Sequence, residues 1–109
     1  MEPDRAELNE LVERILRVVE PVRVMLFGSA ARGEMGQASD LDVLVIVRNG
    51  TDTRAMTRRV YRELIGFKAA ADVVVATEEE IALYGDSHSL VYYSALREGK
   101  EIYAAPTSQ

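Results

Sequence analysis

The chain has 109 residues, of which 48% are apolar, so it is long enough to bury the core of one compact domain. Its formal net charge of −5 argues against a stand-alone nucleic-acid-binding protein, which generally needs a strongly positive surface. Cysteine is absent and no apolar run is long enough to cross a membrane, so a disulfide framework, a thiolate metal site and a membrane-spanning helix are not expected. The acidic start does not resemble a secretory signal. We therefore expect residues 1–109 to form a single cytoplasmic domain.

Hydrophobic spacing and turn residues predict the order helix, strand, strand, helix, strand, helix, helix, strand. The predicted bounds are Asp4 to Val19, Val22 to Phe27, Leu41 to Val47, Thr53 to Phe67, Ala71 to Ala76, a short helix after Thr77, a helix from Ser87 or His88 to Glu98, and a strand within REGKEIYAA. This order predicts an α/β fold with a small mixed sheet flanked by helices.

Several local patterns sharpen this prediction. The first helix presents one apolar face, made of Leu8, Leu11, Val12, Ile15, Leu16 and Val19. The run from Leu41 to Val47 is apolar on both faces, which indicates a central strand covered on both sides. Thr77 and Glu80 have the spacing of a capping box, which predicts a helix start. Asp4 and Glu7 suggest a similar start for the first helix.

Acidic residues stand at the starts of two predicted strands, where an ordinary core strand gains nothing from them. Asp40 and Asp42 open the segment DLDVLV, and Asp72 opens ADVVV. Because side chains alternate along a strand, Asp40 and Asp42 point the same way and repel each other unless a cation lies between them. Magnesium prefers oxygen ligands and commonly binds carboxylates together with substrate phosphates. The carboxylates therefore indicate a Mg²⁺ site, although a merely surface-exposed strand start is the alternative.

The loop before these acids is suited to a phosphate group. Gly28 allows a close approach of the backbone, and Ser29 offers a hydroxyl and an N–H group. The loop is not a P-loop and lacks the spacing of a dinucleotide-binding loop.

Gly28-Ser29, ten further residues and then Asp40-Leu41-Asp42 resemble the signature of nucleotidyltransferases of the DNA polymerase β superfamily. The fuller segment FGSAARGEMGQASDLDVLV is similar to the minimal nucleotidyltransferase (MNT) domains of bacteria and archaea. These domains are often encoded beside a helical HEPN-domain toxin, for which they are the antitoxin. The resemblance covers most of the chain and implies a polymerase β-like nucleotidyltransferase fold.

The resemblance also implies a role for each matching residue. Gly28 and Ser29 would bind the phosphates of a nucleoside triphosphate, and Asp40 and Asp42 would be magnesium ligands. Asp72 would be the third carboxylate, which holds the catalytic metal and helps to deprotonate the acceptor hydroxyl.

Arginines near the motif have more than one interpretation. Arg32 would contact phosphate or a partner if it follows the family, and is otherwise a solvated loop residue. Arg54, Arg58 and Arg62 share one helix face at four-residue spacing. Such a stripe is usually solvated, and the alternative is a docking face for an acidic partner.

The implied function is magnesium-dependent transfer of AMP from ATP to a protein hydroxyl, namely a tyrosine of a cognate HEPN toxin, by an antitoxin. The alternative is a non-catalytic antitoxin that neutralises its partner by binding it, as a hetero-oligomer. Transfer to a small molecule or an RNA end is a third option. The acidic charge argues against direct contact with nucleic acid, and no membrane contact is expected. A homo-oligomer remains open.

Overall fold

The computed structural model describes residues 5–28, 41–84 and 91–106. Four helices and four strands lie in these ranges. In chain order they are α1 (Arg5–Leu16), β1 (Arg23–Phe27), β2 (Leu41–Val47), α2 (Thr53–Glu63), β3 (Ala71–Thr77), α3 (Glu78–Tyr84), α4 (Val91–Glu98) and β4 (Lys100–Ala104). None of these helices has both the length and the apolar character that a membrane-spanning helix needs.

The four strands form one mixed sheet in the order β3-β2-β1-β4. β2 and β3 are parallel, whereas β1 is antiparallel to both β2 and β4. A parallel pair needs a crossover connection, and α2 supplies it between β2 and β3. The predicted α/β class and the small mixed sheet are confirmed.

β2 runs through the centre of the core. Every residue of β2 except Asp42 is buried, so the predicted cover on both faces is confirmed. On the face covered by α1 and α2, the buried cluster is Leu11, Ile15, Val19, Val24, Leu26, Leu41, Val43, Val45, Val47, Val60, Val73 and Val75. On the face covered by α3 and α4, the buried cluster is Met25, Phe27, Leu44, Ile46, Ala76 and Ala95.

Helix α1 is shorter than predicted and one of its apolar residues faces solvent. Its buried stripe runs through Leu11 and Ile15, one helical turn apart. Leu16 lies further round the helix and is 39% exposed, so its predicted inward position is wrong. The helix ends at Leu16, and a turn then returns Val19 to the core. Asp4 lies outside the described residues.

Helix α2 begins as predicted but ends at Glu63 rather than at Phe67. Asp52 caps its start, because its side chain accepts a hydrogen bond from the Ala55 N–H at 3.1 Å. Gly66 follows its end with a φ of 87°, a conformation that favours glycine and stops the helix. Phe67 still packs against the core beyond that turn.

The start of α3 agrees with the predicted capping box. The Thr77 N–H donates to Glu80 Oε1 at 3.1 Å, and the Glu80 N–H donates to Thr77 Oγ1 at 3.2 Å. This reciprocal pair starts α3, so the predicted capping box is confirmed. Helix α4 is described from Val91 onward, and its predicted start at Ser87 or His88 lies outside the described residues.

Arg14 ties α1 to the end of α2. Its Nη1 donates to the carbonyl oxygens of Glu63 and Ile65, both at 3.0 Å. These carbonyls lie at the end of α2, where no further helical N–H is available. Arg14 Nε also donates to Glu10 Oε2 at 3.0 Å, and its guanidinium carbon lies 5.6 Å from the centre of the Phe67 ring. Arg14 therefore links α1 directly to the backbone at the end of α2.

We expect Arg14→Gln to lower the free energy of unfolding by about 1–2 kcal/mol, because it removes charge-assisted bonds to two helix-end carbonyls. Arg17→Gln is the matched control, since Arg17 makes only an exposed ion pair with Glu63 at 3.0 Å. That change should cost about 0.5 kcal/mol or less. Urea denaturation of both variants measures the difference, and equal losses would contradict this role for Arg14.

Candidate active site

Two carboxylates meet at one end of the sheet, where β2 and β3 begin. Asp42 and Asp72 are each the second residue of their strand, and they are direct partners in the parallel register. They therefore lie side by side in one row and on one face, at a strand spacing of about 4.8 Å. Phe27, the last residue of β1, is the partner of Asp42 on its other side. The end of β1 and the starts of β2 and β3 thus form one edge.

Gly28 packs directly against the carboxylate of Asp42. It follows β1 with a φ of 70°, which favours glycine. A Cβ atom added there would overlap Asp42 Oδ2 and lie 3.2 Å from Asp42 Cγ. Any other residue would have to displace the carboxylate or distort the backbone. The glycine therefore allows the backbone at the end of β1 to lie directly against an acidic oxygen.

The two carboxylates differ in their access to solvent. Asp42 lies on an internal strand and is half-buried, whereas Asp72 lies on the edge strand β3 and is exposed. Among the described residues, Asp72 is therefore the more accessible carboxylate of the pair.

Only part of the predicted site lies within the described residues. Gly28, Asp42 and Asp72 are brought together, whereas Ser29, Arg32 and Asp40 lie outside the described ranges. Within those ranges, no group of three or more His, Cys, Asp or Glu residues could hold a metal ion. The described donor set is therefore the pair Asp42 and Asp72, and the remaining predicted ligand, Asp40, directly precedes β2 in the sequence.

Tyr61 is a residue near this site that the sequence analysis did not single out. Its hydroxyl accepts a hydrogen bond from the Val73 N–H at 2.8 Å. As a donor, the same hydroxyl lies 3.4 Å from the Val73 carbonyl oxygen and 3.5 Å from Asp72 Oδ1. Tyr61 therefore anchors the start of β3, and with it Asp72, to α2. The sequence feature that could have pointed to Tyr61 is the predicted β2-α2-β3 crossover, because it brings the end of α2 back to the start of β3.

Comparisons with known proteins identify the family to which this fold belongs. A family model described as a nucleotidyltransferase domain matches residues 7–101. The chain belongs to the nucleotidyltransferase domain family. No curated protein matches the sequence of this nucleotidyltransferase domain.

Solved structures show the same fold. A candidate nucleotidyltransferase from Sulfolobus solfataricus has 20% identity and a TM-score of 0.63, over 91% of this chain and 78% of that one. A candidate minimal nucleotidyltransferase has 28% identity and a TM-score of 0.59, over 88% and 89% of the two chains. A complex of a tri-AMPylated Shewanella oneidensis HEPN toxin with an MNT antitoxin matches with 14% identity and a TM-score of 0.61, over 93% and 72%. The expected polymerase β-like nucleotidyltransferase fold is confirmed.

We expect Gly28→Ala to reduce nucleotidyl transfer by about 100-fold, because a displaced carboxylate misplaces the reacting groups. The matched control is Gly50→Ala. Gly50 also has a positive φ, of 88°, but a Cβ added there meets nothing within 4 Å.

Both alanine variants should lose about 1 kcal/mol of stability from backbone strain alone. Urea denaturation measures that loss, and incorporation of a labelled α-phosphate measures transfer. Equal activity of the two variants would show that the contact between Gly28 and Asp42 does not matter for the reaction.

Proposed function

We propose that this domain is a magnesium-dependent enzyme that transfers AMP from ATP to a tyrosine hydroxyl of a cognate HEPN-domain toxin, and so acts as an antitoxin. The observation that carries the proposal is the side-by-side placement of Asp42 and Asp72, with Gly28 against Asp42. Membership of the nucleotidyltransferase family supports nucleotidyl transfer. Two structural neighbours support the nucleotide and the partner: the complex of a tri-AMPylated HEPN toxin, and a toxin–antitoxin structure with AMP-PNP.

The donor set fits magnesium rather than a softer metal. Asp42 and Asp72 offer only oxygen ligands, and two adjacent carboxylates repel each other unless a cation or a proton lies between them. Asp40 is proposed as a further ligand, because it would precede β2 on the same side as Asp42. When bound, magnesium would neutralise the phosphates and stabilise the charge that develops on the leaving pyrophosphate.

The exposed position of Asp72 suits it to the acceptor side of the reaction. Its carboxylate would accept the proton of the tyrosine hydroxyl while the tyrosine oxygen forms a bond to the α-phosphorus of ATP. The bond from the α-phosphorus to its bridging oxygen breaks, and pyrophosphate leaves. Asp42, which is half-buried beside Gly28, would hold the nucleotide end of the site. Gly28, Ser29 and Arg32 are proposed to contact the phosphates.

We expect Asp42→Asn and Asp72→Asn each to reduce AMP transfer by at least about 100-fold, because either change removes a charged ligand worth several kcal/mol in the transition state. The assay incubates the purified domain with α-labelled ATP, magnesium and an extract of the native host. A labelled protein band that requires both carboxylates is the expected result.

Asp52→Asn is the matched control, since it makes the same chemical change at an exposed helix cap. Asparagine caps a helix as well as aspartate does, so both activity and stability should be retained. If both site variants labelled the band as well as the wild type, the enzymatic proposal would be wrong. If neither the wild type nor any variant labelled a protein, but all of them neutralised the toxin equally, a non-catalytic antitoxin would be the better explanation.

A further inference from the structure

A basic groove lies where the C-terminal ends of α1 and α2 meet. It has a volume of about 370 Å³ and is lined by Arg17, Val18, Arg59, Arg62 and Glu63. Arg17 neutralises the only acid of this lining, because its Nη1 lies 3.0 Å from Glu63 Oε1. In the described part of the chain, Arg59 and Arg62 have no carboxylate within ion-pairing distance. The groove therefore carries a net positive charge on a chain whose net charge is −5.

Large apolar side chains are also exposed on the ends of the same two helices. Four large hydrophobic side chains are exposed in the described ranges, and three of them lie at the ends of these two helices. Leu16 precedes Arg17 and is 39% exposed, Tyr61 precedes Arg62 and is 40% exposed, and Ile65 follows the end of α2 and is 77% exposed. We define Leu16, Arg17, Arg59, Tyr61, Arg62 and Ile65 as the basic corner.

The basic corner and the two carboxylates lie on opposite faces of the sheet, and Tyr61 links them at the edge formed by β3. Asp42 and Asp72 point away from the face that α1 and α2 cover, because they alternate with residues of that face. The Tyr61 hydroxyl is 3.5 Å from Asp72 Oδ1, and Arg62 is the next residue along α2. Asp72 is the exposed carboxylate of the pair. A protein bound at the basic corner would reach this carboxylate by continuing round the edge strand β3.

We propose that the basic corner docks an acidic segment of the protein acceptor, with apolar side chains of that segment against Ile65 and Leu16. This inference rests on the proposed function for the identity of its ligand as the acceptor. Arginine and exposed apolar groups together are typical of protein interfaces. A long nucleic acid would extend from this small positive patch onto a surface that is negative overall, which disfavours it. The negative charge of the rest of the surface would repel an acidic partner, and so favour the orientation in which the partner contacts the basic corner.

Binding to a defined acidic probe tests this surface without catalysis. The probe is a fluorescein-labelled random copolymer of glutamate and tyrosine, and its anisotropy is measured with the purified domain in the absence of ATP. We expect binding that weakens as salt rises, because the attraction is between exposed charges. Arg59→Glu with Arg62→Glu should weaken binding more than about tenfold, because like charges then face each other. Arg59→Gln with Arg62→Gln should give a smaller loss.

Arg5→Glu with Arg48→Glu is the matched control. It changes the net charge by the same amount, but Arg5 lies at the opposite end of α1 and Arg48 follows β2 at the opposite end of the sheet. The control should bind the copolymer with little loss. Thermal unfolding of each double variant shows whether it is folded. Equal losses in the two glutamate variants would overturn the proposal, because overall charge would then explain the binding.

Two further binding measurements distinguish the docking surface from a nucleic-acid surface and from the metal-binding site. Tighter binding of a fluorescein-labelled oligoribonucleotide than of the copolymer would overturn it in favour of a nucleic-acid surface. Asp42→Asn should bind the copolymer like the wild type, since the docking surface does not include the metal-binding carboxylates. Loss of copolymer binding in the Arg59 and Arg62 variants would support docking even if AMP transfer failed. If AMP transfer occurred but the Arg59 and Arg62 variants still bound the copolymer like the wild type, the enzymatic proposal would be supported and the docking proposal would be wrong.

Discussion

The parallel register of β2 and β3 is the constraint on which the candidate site depends, because it places Asp42 beside Asp72. Two carboxylates about one strand spacing apart are costly unless a cation or a proton lies between them. A rigid support must therefore hold them, and the buried residues of β2 supply it on both faces of the sheet. The parallel register with β3 places the second carboxylate, and Gly28 brings the end of β1 against the first. The proposed magnesium ion would offset the repulsion between these two carboxylates.

The elements that could be predicted from the sequence are those whose signal is local. The bounds of β2 follow from a run that is apolar at every position except Asp42, and the start of α3 follows from the spacing of Thr77 and Glu80. The end of α2 did not follow from its apolar spacing. Phe67 packs inward although the helix stops before it, because Gly66 turns the chain and Arg14, far away in sequence, binds the last carbonyls.

The candidate site likewise contains residues that a local sequence signal predicts and residues that it does not. Gly28, Asp42 and Asp72 stand out in the sequence by residue type and by resemblance to a family. Their register is a property of strand pairing, which no single segment encodes. Tyr61 carries no local signal at all, since a tyrosine on an amphipathic helix is most simply a packing residue. Its relation to Asp72 exists only because the crossover helix returns to the start of the neighbouring strand.

The hydroxyl of Tyr61 also limits how other chains can join the sheet. β3 is an edge strand, and the outward N–H and carbonyl groups of such a strand are a template for strand addition by another chain. Tyr61 contacts both of these groups at Val73, the residue after Asp72. A peptide that extended the sheet here would have to displace that hydroxyl from the backbone. A partner that binds beside Val73 would therefore have to be recognised through side chains, whose chemistry can distinguish one partner from another.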